Sequence, residues 1–167
     1  NIEYGKGGPM SLKLDLYKPK EHDQLLPAVI FIHGGAWKGG HRQTYHYYCT
    51  KFAEHGYIAA TISYRLTGDA PFPAAVEDAK CAVRWLRANA AVYNIDSERF
   101  GVWGSSAGGH LVAFLGTAGG VKTVTIGTST VDLEGATGGN LDQPSRVQAV
   151  CDWFGPTDFL AMRDFPS

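Results

Sequence analysis

The sequence predicts an α/β fold built on a doubly wound, mostly parallel sheet, and three observations carry that reading. Residues 28 to 33 and 58 to 63 are almost continuously apolar, the pattern of strands whose sheet is covered on both faces. Segments with helical spacing separate these runs from each other and from later strands, so strands and helices alternate. The short run Arg99-Phe100-Gly101-Val102-Trp103 passes through Gly104-Ser105-Ser106-Ala107-Gly108 into helix-forming His110-Leu111-Val112-Ala113-Phe114-Leu115. That is a strand-turn-helix junction.

Each element follows in chain order. Ser11 to Tyr17 alternates polar and apolar residues, which marks a half-buried antiparallel strand. Pro19 to Pro27 is a polar connector, and 28 to 33 is the first parallel strand. Residues 43 to 55 read as a helix and 58 to 63 as the next strand. The helix over 73 to 91 starts after Pro71 and Pro73 and places Ala75, Val76, Ala79, Ala82, Val83 and Leu86 on one face. Residues 98 to 104 form a strand, 106 to 117 a helix, and Val147 to Phe154 the last strand. From Ala118 to Ser145 the pattern dissolves into Gly, Thr and Ser. A loop of that length is uncommon unless it is functional or mobile; a place beside a substrate mouth and a loose surface excursion both fit it. The reading is one domain over residues 1 to 167, without internal repeats.

Composition narrows the function classes. With 44% hydrophobic residues, four Trp, eight Tyr and eight Phe, the chain can fill a single core. A net charge of −1 gives no reason to expect nucleic acid or an anionic membrane as partner. No apolar stretch approaches the roughly 18 residues of a membrane span. Asn1 opens no recognisable signal peptide, but a chain without an initiator Met leaves a removed signal open, so secreted and cytoplasmic locations both stand. Cys49, Cys81 and Cys151 are spaced too widely for a zinc or redox motif. Cys81 and Cys151, in apolar surroundings, are expected as small buried hydrophobes, and no metal or cofactor is expected.

The chemistry is concentrated in two motifs. In a G-x-S-x-G elbow the serine occupies a strained turn between strand and helix, and the glycines permit a close backbone approach; Ser106 is the candidate nucleophile. Upstream, His33-Gly34-Gly35-Ala36-Trp37 ends the apolar strand. A loop of this kind can aim backbone N–H groups at the oxygen that becomes negative during acyl transfer. Taken alone, it could equally be a tight turn after a strand. With the elbow beside it, Ala107 and the glycine loop are expected to supply the oxyanion donors.

At these residues the chain resembles a known family. His33 to Trp37 matches the HGGXW motif, and Gly104 to Gly109 the GxSxGG elbow, of α/β-hydrolase-fold esterases in the lipase, feruloyl/acetyl-xylan esterase-like and arylformamidase group. The resemblance extends to Ile62-Ser63-Tyr64-Arg65-Leu66 and to Trp153-Phe154-Gly155-Pro156-Thr157-Asp158. It implies that Gly35 and Ala36 donate to the oxyanion, with His33, Gly34 and Trp37 supporting the loop. It also implies a small-molecule ester substrate, without selecting the acyl group.

A serine needs a base, and this class supplies the chain order Ser, then Asp or Glu, then His. The only histidine after Ser106 is His110, four residues along the same helix, where its side chain lies along the helix flank and not over the elbow. Asp158, one strand earlier than the usual acid, is a minor candidate to orient a base. Asp78, inside a helix, is expected to pair with Arg65 or Arg84. His22, His41, His46 and His55 have no catalytic place in the family; if the chain were complete, His41 or His46 would have to serve Ser106. The expectation is therefore an N-terminal portion of the fold, truncated before the last strands, with the catalytic Asp and His beyond residue 167. The outer edge of the 147 to 154 strand would then be open to pairing or self-association. Three functional readings compete: a serine carboxylic ester hydrolase, an N-formyl aryl amide hydrolase, and a non-catalytic module binding through the same cleft.

Overall fold

The computed structural model describes residues 1–164. Its centre is a six-stranded sheet in the order β1-β2-β4-β3-β5-β8. The strands are β1 (Ile2–Gly7), β2 (Met10–Tyr17), β3 (Leu26–Ile32), β4 (Ile58–Ile62), β5 (Ile95–Ser105) and β8 (Ala149–Trp153). β1 and β2 run antiparallel to their neighbours, whereas β4, β3, β5 and β8 are mutually parallel. The helices are α1 (His46–Glu54), α2 (Ala74–Ala88), the single turn α3 (Ala90–Tyr93) and α4 (Ala107–Thr117).

Alternation along β3 explains why helices cover both faces. Ala28, Ile30 and Ile32 point into the larger core, which α2 and α4 close with Val76, Val83, Leu86, Leu111 and Leu115. Phe31 points the other way, onto Tyr45, Cys49 and Ala59 beneath α1, with Phe52 and Trp103 packed around it. A strand apolar on both sides requires two covering layers, so the doubly wound expectation holds.

Several expectations are corrected in detail. The 43 to 55 helix is a 3-10 turn, Arg42–Tyr45, followed by α1, and the 73 to 91 helix breaks at Asn89 between α2 and α3. The strand expected over 98 to 104 begins at Ile95. β1 was not foreseen, although its Ile2, Tyr4 and a Gly-Gly-Pro turn before β2 carry a hairpin signal. Nor is 118 to 145 structureless: β6 (Thr123–Ile126) and β7 (Ser129–Asp132) form an antiparallel hairpin. Its signal, β-branched residues on either side of Gly127-Thr128, was masked by the surrounding glycines.

That excursion is neither loose nor part of the cleft. It is pinned to α2 by buried cations one helical turn apart. Lys80, fully buried, donates to the carbonyls of Ala118 and Val121 and to Glu134 at 3.0 Å. Arg84, also fully buried, pairs with the same carboxylate and donates to the carbonyls of Thr137 and Gly139. Burial alone would raise the Glu134 carboxyl, but Ser145 and Lys80 hold it below its ordinary value. The three cysteines are free; Cys49 and Cys81 are buried as small hydrophobes, while Cys151 is only half-buried on the edge strand. On that strand Val150 and Trp153 are exposed. Among the described residues no helix is long and apolar enough to cross a membrane.

Candidate active site

The site forms where β3 and β5, neighbours in the sheet, both end. Their register pairs Ile32 with Gly104, so the chain leaves both strands at the same level and His33-Gly34-Gly35 meets Ser105-Ser106. A Cβ on Gly34 would lie 2.7 Å from the Ser105 carbonyl oxygen and 3.2 Å from the Ser106 Cβ. Only glycine permits that approach.

Ser106 is held at φ 54° and ψ −122° between β5 and α4, a region that side chains other than glycine's rarely occupy. Its amide donates to the Trp153 carbonyl on β8 at 2.9 Å, and its carbonyl accepts the His110 amide at 3.0 Å. The turn is therefore locked at both ends by backbone hydrogen bonds. Behind it, Gly108 of α4 lies so close to the end of β3 that a Cβ there would overlap the Ile32 carbonyl oxygen. No side chain among the described residues hydrogen-bonds the Ser106 hydroxyl.

The loop after β3 is coiled on itself. Gly35, Ala36 and Trp37 have φ values of 123°, 50° and 57°, and the Gly35 carbonyl accepts the amides of Lys38 and Gly39 at 2.9 and 3.0 Å. The amides of Gly35, Ala36 and Ala107 have no acceptor among the described residues. His33, 2% exposed, anchors the coil: its ring stacks on Tyr64 at 4.4 Å, its Nδ1 bonds the Gly34 carbonyl at 2.8 Å, and its own carbonyl accepts from the Tyr64 hydroxyl. Burial lowers its pKa below the ordinary imidazole value. Trp37 ties the coil to the segment after β4, accepting the Thr67 amide at 2.8 Å.

A cavity of about 450 Å³ opens beside this arrangement, lined by Trp37, Phe72, His110, Leu111, Phe114 and Phe159 among others. His110 does lie along the helix flank, edge-on to Trp37 at 5.3 Å, to Phe114 and to Phe159. Its buried Nδ1 has no hydrogen-bond partner, and burial lowers its pKa.

The remaining candidates are placed elsewhere. Asp158 accepts the amides of Leu160 and Ala161 at the start of a 3-10 turn, so its oxygens are used locally. Asp78 pairs with Arg65, not Arg84, in a buried fork that also takes Glu77. His46 hydrogen-bonds Tyr17, His22 the Gln24 carbonyl and His55 the Lys51 carbonyl; His41, His46 and His55 are exposed and His22 is half-buried. Two groups at the site escaped the sequence reading. Tyr45 donates to Ser105 Oγ at 2.8 Å, and Asp152 accepts the Gly155 amide at 2.8 Å beside Gly109. No pattern in the chain marks the first. The second was legible as an aspartate followed three residues later by glycine, a turn signal.

Comparison with known proteins places these motifs in context. A family model described as BD-FAE matches residues 14–166. The versiconal hemiacetal acetate esterase of Dothistroma septosporum is 35% identical over 112 residues, 66% of this chain and 34% of that protein. Among solved structures, a bifunctional GH43-CE protein of Bacteroides eggerthii superposes with a TM-score of 0.85 at 40% identity, over 90% of this chain and 22% of the other. A truncated form of a carbohydrate esterase from gut microbiota gives a TM-score of 0.83 at 38% identity, over 98% of this chain and 58% of the other. The chain spans about a third of the length of the curated relatives it matches. The fold is that of the α/β-hydrolases, as the two motifs led one to expect.

Proposed function

The chain belongs to the BD-FAE family, and on that premise we propose that the whole protein is a serine carboxylic ester hydrolase acting on small-molecule esters through an acyl-enzyme on Ser106. The observation that carries this reading is the strained Ser106 backbone at φ 54° with the glycine loop packed against its Cβ. Such strain persists only where the surroundings over-determine it, and it gathers at functional sites.

In this mechanism Ser106 Oγ attacks the ester carbonyl carbon while a base takes its proton. The carbonyl oxygen becomes negative and, on this reading, is met by the amides of Gly35, Ala36 and Ala107, which have no acceptor among the described residues. Preorganised donors of this kind contribute several kcal/mol to the barrier reduction. Collapse of the tetrahedral intermediate expels the alcohol and leaves the acyl group on Ser106; water then adds to the acyl carbonyl and releases the acid. No side chain among the described residues hydrogen-bonds the Ser106 hydroxyl, and under this proposal the acid and base of the triad come from the rest of the whole protein.

Ser106→Ala in the full-length protein tests the assignment. Turnover of p-nitrophenyl acetate should fall at least about 10³-fold, with the unfolding midpoint essentially unchanged. An organophosphorus ester should add one phosphoryl group to the wild type and none to the variant. Activity within tenfold of wild type would refute the role.

A further inference from the structure

The cavity beside Ser106 carries a statement about the substrate, resting on the reading of Ser106 as the acylated residue. Ser106 does not itself line it, and two lining residues connect it to that serine. Trp37 follows the proposed donors Gly35 and Ala36, and His110 lies one helical turn from Ser106, its amide on the Ser106 carbonyl. At about 450 Å³ the space falls within the usual range of ligand pockets and far exceeds what an acetyl methyl would fill.

Apart from Thr67 and two ionisable residues its walls are aromatic and aliphatic, and the two ionisable groups present no free charge. The Arg65 guanidinium is taken up by Asp78, Glu77 and the Ala74 carbonyl. His110 is ringed by Trp37, Phe114 and Phe159, surroundings that disfavour the imidazolium. A carboxylate or ammonium entering here would lose its hydration without meeting an uncompensated opposite charge. An alkyl or other apolar group would instead be taken out of water at no such cost.

We propose that this cavity is a subsite for a neutral, apolar substituent of the ester, several carbons long, and that Trp37, Phe114 and Phe159 determine its size. Each methylene buried there favours the reaction about fourfold in kcat/KM, so ester length is read out directly by rate.

The test uses the full-length protein and two ester series. One varies the acyl group with a fixed leaving group, from p-nitrophenyl acetate to hexanoate; the other varies the alcohol with a fixed acetyl, from ethyl to hexyl acetate. At least a tenfold rise in kcat/KM is expected along one series, which identifies the side of the ester the cavity holds. A terminal carboxylate on the favoured six-carbon group should cancel that gain. Ala70→Phe and Ala75→Phe, which intrude on the cavity, should each lower the long-to-short ratio at least tenfold, whereas Phe114→Ala should shift the optimum to longer chains. Ratios within threefold of unity in both series, or ratios untouched by all three substitutions, would overturn the proposal. Absence of turnover for every ester would instead overturn the Ser106 assignment. In that case calorimetric binding of hexyl acetate to Ser106→Ala, and its loss on adding Ala70→Phe, decides the cavity by itself.

Discussion

The Tyr45 hydroxyl donates a 2.8 Å hydrogen bond to Oγ of Ser105, the residue immediately before the elbow serine. Tyr45 closes the 3-10 turn that precedes α1, so this bond links the segment after the glycine loop to the last residue of β5. Burial raises the Tyr45 pKa, which keeps the phenol a neutral donor. Tyr45→Phe should lower stability by about 1 kcal/mol and reduce kcat several-fold with KM little changed, because it loosens the elbow without touching the cavity lined by Trp37 and Phe114. Steady-state kinetics beside urea unfolding checks the split; an unchanged kcat would show that the bond serves stability alone.

Close approach at Gly108 predicts a steep cost for one methyl group. Gly108→Ala would drive a Cβ into the Ile32 carbonyl, backbone against backbone, and should destabilise the fold by about 3 kcal/mol. Gly101→Ala is the control, since its Cβ would meet the Ala149 Cβ and a Val29 methyl at an ordinary 3.7 Å. Urea midpoints for the pair should differ clearly; equal midpoints would mean that α4 can shift freely against β3.

Lys80 and Arg84 share one carboxylate, and that makes Glu134 the anchor of the hairpin excursion. Glu134→Ala leaves two fully buried cations without their counter-ion, at a cost of about 3–5 kcal/mol. Limited proteolysis should then cut between residues 119 and 146 at protease concentrations that leave the wild type intact. Resistance equal to wild type would show that the hairpin is held by packing and not by charge.

Two imidazoles, one buried (His33) and one half-buried (His110), set a pH dependence. His33 and His110 have folded-state pKa values below the ordinary one, chiefly through burial. As pH falls through about 6.5, where an unfolded histidine takes up its proton, the unfolded chain binds protons that the folded chain refuses. Stability is therefore complete above that pH and declines below it. Urea midpoints should drop between pH 7.5 and 5.5, and His110→Phe, which suits its aromatic surroundings, should reduce the drop. A drop identical to wild type would remove His110 from the effect.

What the chain determined by itself is what repeats locally or is written in contiguous residues. Continuous apolarity at 28 to 33 and 58 to 63 identifies strands covered on both faces, and Gly104 to Gly108 between a strand and a helix identifies the elbow, because in both cases the physical cause lies within a few residues. His33 to Trp37 is legible as a loop after a strand for the same reason. Tertiary structure alone decided which distant groups share space. The parallel register of β3 on β5 brings Gly34 against Ser106, and packing of α1 sets Tyr45 on Ser105. Arg65, not Arg84, takes Asp78, because Arg84 and Lys80 turn to Glu134, some fifty residues further along the chain. A buried charge must find its partner wherever the fold provides one, and no spacing in the sequence encodes that distance.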